Sequence, residues 1–189
     1  FFNYICGYKI VFCFVEFMLR SKLKYYYIQK KIHSLSLKSQ SSADESTKKI
    51  KTVGIISCDN FSKKYDFSEI LIQKFSLRNP KIYSFRKFSK DDQKSYKHFS
   101  EKDFDWRGDI LDTSLSSFLE EPFDLLICLY TKKNIFLEYA VASSAASFKV
   151  GLSDLNTGFF HLDISCDLHQ IDVFFDEMKK YLSILDKHS

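Results

Sequence analysis

The chain has 189 residues, of which 45% are hydrophobic and 17% aromatic, so it contains enough apolar material for the core of one ordinary domain. Five Gly and two Pro are few for a turn-rich β-sandwich or barrel, which favours long helices joined by polar loops. The positive charge is concentrated near the start, where nine Lys and Arg accompany two acidic residues between Met18 and Lys51. The rest of the chain is mildly acidic. A basic arm on an acidic body is a poor match for specific nucleic-acid recognition, which needs basic residues along a folded face.

Residues 1–17 belong to an apolar run, FFNYICGYKIVFCFVEFML, which is followed by RSKLK. A membrane span with positive residues on its cytoplasmic side has this pattern, but Lys9 and Glu16 would each cost about 2.5–3.5 kcal/mol at mid-bilayer. Met18 opens a helical pattern. We therefore expect the natural protein to start at Met18 and residues 1–17 to come from translated upstream sequence; an inner-membrane anchor is the alternative.

Residues 18–37 predict a basic amphipathic helix, and residues 38–50 predict a Ser-rich polar linker. The helix either packs back on the body or docks the protein through its cations onto a protein partner or an anionic surface. Membrane contact is the less favoured form of such docking. The candidate contact residues are Arg20, Lys22, Lys24, Lys30 and Lys31.

The body, residues 51–189, alternates strand-like and helical patterns, with strands predicted over 51–57, 81–88, 124–130, 148–153 and 159–165. Helices are predicted over 68–77, 114–120, 134–147 and 168–185. This alternation predicts a three-layer α/β domain of about five mainly parallel strands, of Rossmann or flavodoxin type. We expect Phe99, Phe104 and Trp106 to pin a polar loop to the body; a stacking platform for a ligand is the alternative.

Polar side chains follow three of the predicted strands, at the carboxyl ends where open α/β sheets bind ligands. The aspartates could serve acid–base chemistry or bind a cation, and the lysines could bind a phosphate. Helix capping is the ordinary explanation of polar residues at such positions. We call these candidates the strand-end rim: Asp59, Asn60, Lys132, Lys133, Asn134 and Asp154.

Several motifs that would identify an enzyme are absent from the sequence. Gly-x-Gly-x-x-Gly does not follow the first strand, and no Walker loop, Gly-x-Ser-x-Gly or His-Glu-x-x-His occurs. The five cysteines form no Cys-x-x-Cys pair, which favours a reducing cytoplasm. No catalytic residue, cofactor or metal is predicted.

The order of TVGIISCDNF, FSEKDFDWRGDI, SFLEEPFDLLICLY, FKVGLSD and FFDEMKKYLSIL resembles an uncharacterised family of small proteins from Bacteroidota, known mainly from flavobacteria as a domain of unknown function. The resemblance covers roughly residues 18–185 and implies a cytoplasmic, Rossmann-like protein without an assigned activity. Residues 123–154 also resemble the amino-terminal half of heptosyltransferase-like glycosyltransferases. Those enzymes bind the sugar donor with a second Rossmann domain, which this chain has no room for.

Two functions follow from these observations. The first is a non-enzymatic, Rossmann-like binding or interaction module that docks through its basic N-terminal arm. The alternative is a small enzyme, or a nucleotide-sugar-binding remnant, that uses the strand-end rim. The missing phosphate and nucleophile motifs favour the first.

Overall fold

The computed structural model describes residues 2–39, 49–90, 97–152, 155, 158–167 and 170–185, and within the first helix it describes the side chains of residues 19–37. The strands are β1 (Val53–Cys58), β2 (Lys81–Phe85), β3 (His98–Phe99), β4 (Leu125–Leu129), β5 (Phe148–Leu152) and β6 (Leu162–Ile164). The helices are α1 (Phe2–Ser39), α2 (Asp59–Lys64), α3 (Phe67–Phe75), α4 (Thr113–Glu120), α5 (Ile135–Ser143) and α6 (Ile171–Ile184).

The described strands form one parallel sheet in the order β3-β2-β1-β4-β5-β6. The predicted Rossmann-like α/β fold is confirmed, with six strands instead of about five. Strands β4 and β5 are buried along their whole length, which explains their continuous apolar sequence. The chain turns from one half of the sheet to the other between β1 and β4, which is the switch point of a doubly wound fold.

Helices cover both faces of the sheet. Helix α5 contacts both α1 and α4 on one face, and α3 contacts α6 on the other, as right-handed crossovers in opposite directions require. Lys74 of α3 lies 2.5 Å from Asp176 of α6, and the Phe75 and Phe175 rings meet edge to face. The sheet therefore forms the middle of three layers.

The starts of β1 and β4 are tied together by Asp124. One of its carboxylate oxygens accepts hydrogen bonds of 2.9 Å from the backbone N–H groups of Lys51 and Thr52 and from the Thr52 hydroxyl. The Thr52 hydroxyl accepts in turn from the Asp124 N–H at 2.9 Å. These reciprocal bonds reinforce the pairing of Val53 with Leu125 at the centre of the sheet.

Several predicted element bounds were wrong for local reasons. The helix expected over 134–147 ends at Ser143, because the N–H groups of Ala145 and Ser147 bond to the carbonyls of Leu119 and Phe123. Of the strand expected over 159–165, only Leu162–Ile164 forms, as β6. Helix α2 was not predicted because it has no fully buried residue and therefore no apolar periodicity, and β3 was missed because it has two residues.

The first helix is longer than the predicted helix over residues 18–37, and it packs on the body. Ile28 is completely buried, and the Lys24 ammonium donates hydrogen bonds to the carbonyls of Glu101 and Phe104. Ile50, placed in the predicted linker, is buried in the core; residues 40–48 of that linker lie outside the described residues. None of the helices searched over the described ranges is both long enough and apolar enough to cross a membrane.

The loop over residues 99–110 and helix α5 together form the surface on which α1 lies. Phe99 and Phe104 are buried, which confirms that they pin the loop to the body, and the half-exposed Trp106 meets Tyr27 of α1 edge to face. Gly108 has φ +73°, and a Cβ there would lie 2.6 Å from the Ile28 side chain. A residue without a side chain is therefore needed at this crossing.

We predict that Gly108→Ala destabilises the protein more than Gly158→Ala. Gly158 has nearly the same φ, +71°, but no atom of the described residues lies within 4 Å of an added Cβ, so Gly158→Ala measures the effect of backbone strain. The contact with Ile28 should add about 1–3 kcal/mol to the loss of unfolding free energy at Gly108. Urea unfolding measures both losses, and hydrogen exchange should show weaker protection of α1 in Gly108→Ala only. Equal losses would contradict a close contact between α1 and Gly108.

Candidate functional site

The switch point between β1 and β4 lacks the glycine turn of dinucleotide-binding folds. Helix α2 begins at Asp59, directly after β1, so the backbone makes no glycine-lined concavity there. The buried Ser57 hydroxyl lies 3.1 Å from the Leu129 carbonyl oxygen and 3.2 Å from that of Cys58. This hydroxyl therefore joins the two strand ends.

Asp59, the first residue of the strand-end rim, lies in a cluster of ionisable groups. Its carboxylate accepts hydrogen bonds from Arg86 at 2.8 Å and from Lys63 at 2.7 Å. The His98 Nε2 atom is 3.2 Å from the same carboxylate and 3.1 Å from the Arg86 guanidinium. These residues meet because β1, β2 and β3 are parallel neighbours that end at the same edge.

The cluster lowers the pKa of both Asp59 and His98. Burial alone would raise the pKa of Asp59, but the hydrogen bonds from Arg86 and Lys63 hold it below its ordinary value. Burial and the neighbouring Arg86 lower the pKa of His98, despite the opposing effect of Asp59. Asp59 is therefore an ionised carboxylate beside a neutral imidazole, and its bound cations make it a poor general base.

The nearby thiols are not activated. Burial raises the pKa of Cys58, which stands between β1 and α2. Cys128 of β4 is completely buried, and burial raises its pKa further. Both side chains are protonated at neutral pH, which is the state of structural cysteines and not of nucleophiles.

Among the other residues of the strand-end rim, those that the structure describes are exposed or cap a helix. Asn60 is exposed in α2, and Lys132 and Lys133 are exposed in the loop after β4. Asn134 caps α5, because its side chain accepts from the N–H groups of Phe136 and Leu137 at 2.9 and 3.3 Å. Asp154 lies outside the described residues.

Aromatic rings fill the α5 face of the sheet near the rim. Phe136 of α5 stacks on Phe85 of β2 with ring centroids 6.0 Å apart, and it meets Phe104 at 5.2 Å. Tyr25 of α1 closes the cluster from outside, with its ring centroid 5.5 Å from that of Phe136. Since α1 and these rings cover this face, a ligand has little access to it here.

The described residues line a cleft of about 840 Å³ along the outer edge of β2, and we call it the β2-edge cleft. Its walls come from α2 and the start of α3 on one side and from α4 on the other, and its floor includes Ile82, Tyr83 and Phe118. Sequence reasoning did not identify this cleft or the roles of Arg86 and His98. The available signal was that both residues lie at a strand end beside Asp59.

The basic residues of α1 divide between two faces. Lys24 bonds to the body, and Lys31 lies 2.5 Å from Asp109 and over the Tyr139 ring. Arg20, Lys22 and Lys30 are exposed. In the described part of the chain, no group of three or more His, Cys, Asp or Glu side chains is arranged to hold a metal ion.

We predict that Asp59→Asn destabilises the protein at neutral pH by about 1–3 kcal/mol, since the amide removes the carboxylate that Arg86 and Lys63 share. The folded-state pKa of Asp59 is lowered, so its stabilisation is present above the unfolded carboxyl pKa and is lost as pH falls through the folded value. The difference between variant and wild type should therefore shrink in acid. Urea unfolding at pH 7 and near pH 3 measures it.

Asp172→Asn serves as the control for that comparison, because Asp172 pairs with Lys74 while its side chain stays 75% exposed. We expect the control to change the unfolding free energy by less than about 0.5 kcal/mol. An effect of Asp59→Asn that stays constant down to pH 3 would show that the ion cluster does not supply the stabilisation.

A family model described as a family of unknown function (DUF6913) matches residues 24–185. The match includes β1 to β6, the loop over residues 99–110 and the part of α1 that packs on it. No curated protein and no solved structure matches the chain.

Proposed function

We propose that this chain, which belongs to the DUF6913 family, is a non-enzymatic binding module. It docks on an anionic lipid surface through the outward face of α1. The observation that carries the proposal is that, among the described residues, the body packs on one side of the helix. Ile28 and Lys24 lie on that side. The opposite side is exposed and combines large apolar side chains with cations.

The apolar part of the outward face is a single stripe. Leu19, Leu23 and Tyr26 follow one another at intervals of four and three residues, which places them on one side of an α-helix. Their exposed fractions are 55%, 41% and 49%. Ile28 lies about half a turn of the helical wheel from Leu19, so the stripe points away from the body.

Cations flank the stripe. Arg20 and Lys22 are exposed on its two sides, and Lys30 places its ammonium 4.8 Å from the centroid of the Tyr26 ring. A hydrogen bond with Tyr26 raises the pKa of Lys30, so this group stays charged. Leucine and tyrosine between basic residues are typical of helices that lie in the interface of an anionic bilayer.

A catalytic role has less support from the same geometry. The Asp59 carboxylate is held by Arg86 and Lys63, and Cys58 is protonated at neutral pH. The enzyme or nucleotide-sugar-binding remnant, with its likeness to heptosyltransferase-like proteins over residues 123–154, stays the alternative proposal. A cytoplasmic location, which rests on the cysteine pattern and the sequence motifs, and an origin in Bacteroidota, which rests on the motifs alone, also stay proposals.

We predict that the protein sediments with vesicles of phosphatidylglycerol and phosphatidylcholine and binds vesicles of phosphatidylcholine alone more weakly. Leu19→Ser with Leu23→Ser should lower the partition coefficient by about tenfold or more, since each change removes buried apolar area. Lys22→Glu should lower it by at least about fivefold and weaken its salt dependence.

Matched controls use exposed residues on other elements. Ile72 of α3 is 48% exposed, so Ile72→Ser removes a comparable apolar side chain, and Lys179→Glu of α6 makes the same charge change as Lys22→Glu. Controls that weaken binding as much as the α1 variants would overturn the proposal. The proposal would also be overturned if the wild-type protein did not bind anionic vesicles, or if the outward face of α1 bound an acidic protein and not the vesicles.

A further inference from the structure

We infer that the hairpin tip at residues 105–108 is a second point of contact with the lipid surface, where Trp106 inserts at the level of the headgroups and Arg107 binds a lipid phosphate. This contact rests on the proposed docking through α1 and adds a part of the body to it. Three observations carry it: the Trp106 ring is exposed, it contacts α1, and a cation lies beside it.

Trp106 lies at the edge of the outward face of α1. Its ring is 41% exposed and meets the Tyr27 ring edge to face, with the centroids 6.0 Å apart. Tyr27 follows Leu23 of the apolar stripe by four residues and precedes the buried Ile28 by one, so it stands between the stripe and the body. When the stripe enters a bilayer to the usual depth of an interfacial helix, about 5–10 Å, this flank comes to the level of the headgroups. Tryptophan is enriched at that level, because its ring is apolar and its N–H can bond to polar groups.

The hairpin holds the tip in one conformation. The Asp105 N–H donates to the Asp109 carbonyl at 2.9 Å. The Asp105 carboxylate accepts from the N–H groups of Arg107 and Asp109 at 2.8 and 2.7 Å. Gly108 lies directly under Ile28, which fixes the turn against α1. Because the turn is already ordered, little further conformational entropy is lost when the ring enters the interface.

The charges of the tip allow it to approach an anionic surface. Arg107 is exposed, and its guanidinium carbon lies 4.6 Å from the centroid of the Trp106 ring. The Asp109 carboxylate lies 2.5 Å from the Lys31 ammonium, and the Asp105 carboxylate binds the backbone of the turn. The two carboxylates and the two cations balance one another. Arg107 can therefore bind a lipid phosphate through its paired N–H groups, with the aromatic ring beside it.

We predict that vesicles of phosphatidylglycerol and phosphatidylcholine shift the tryptophan fluorescence of the full chain to shorter wavelength. A nitroxide label on the lipid headgroup should quench this fluorescence more than a label at the end of the acyl chain. Trp106 is the only tryptophan in the sequence, so the signal comes from the hairpin tip alone. Trp106→Ala and Arg107→Gln should each lower the vesicle partition coefficient by about fivefold, which corresponds to about 1 kcal/mol.

Tyr181 of α6 supplies the matched control. Its ring is also 41% exposed, and the Lys180 ammonium lies 6.0 Å from the ring centroid. Because α6 covers the other face of the sheet from α1, Tyr181→Ala should leave vesicle binding unchanged. Tyr181→Trp in a Trp106→Phe background moves the only tryptophan to α6, where its fluorescence should not respond to vesicles. Hydrogen exchange of Trp106→Ala establishes whether α1 stays packed, and the wild-type fluorescence decides the proposal without any variant.

The outcomes separate this contact from the docking function. If vesicles bind the chain and the Trp106 fluorescence stays unchanged, the inferred contact is overturned and docking through α1 stands. If vesicles do not bind the chain, both are overturned. Equal quenching of the wild type and of the Tyr181→Trp variant would also overturn the contact, and so would stronger quenching by the label at the end of the acyl chain.

Discussion

The close approach of α1 to the backbone at Gly108 is the constraint on which the other surfaces of this protein depend. Ile28 is completely buried over a glycine with positive φ, and a larger residue there would meet its side chain. Lys24 fixes the helix lengthwise through carbonyls on the same loop, and Lys31 fixes it through Asp109. Because these contacts set the rotation of α1 about its axis, they determine which side chains face outwards.

The docked helix also decides which parts of the sheet a ligand can reach. Tyr25 and the rings of Phe85, Phe104 and Phe136 fill the layer between α1 and the sheet. A dinucleotide-binding fold keeps a glycine turn open at its switch point, whereas here α2 starts at once and Asp59 is held by cations. The strand order of a doubly wound fold is therefore present here without the open glycine turn at its switch point.

The sequence predicted most of the elements and little of the site, and the reason lies in what each depends on. Strands β4 and β5 are buried on both faces, so their apolar runs could be identified without knowledge of their neighbours. Asp59 was chosen correctly as a strand-end residue, but its partners Arg86 and His98 are 27 and 39 positions away along the chain, and only the strand order brings them together. Helix α2 left no periodic signal because it has no fully buried residue.

The uncharged neighbours of the α1 cations bear on which ligand the outward face can take. On that face, Leu23 and Tyr26 stand between the cations, so a ligand must offer apolar area as well as negative charge. Charge alone would not distinguish a lipid surface from a small hydrophilic anion. Because removing leucine and tyrosine side chains from water is favourable only against apolar area, the apolar stripe favours the lipid surface.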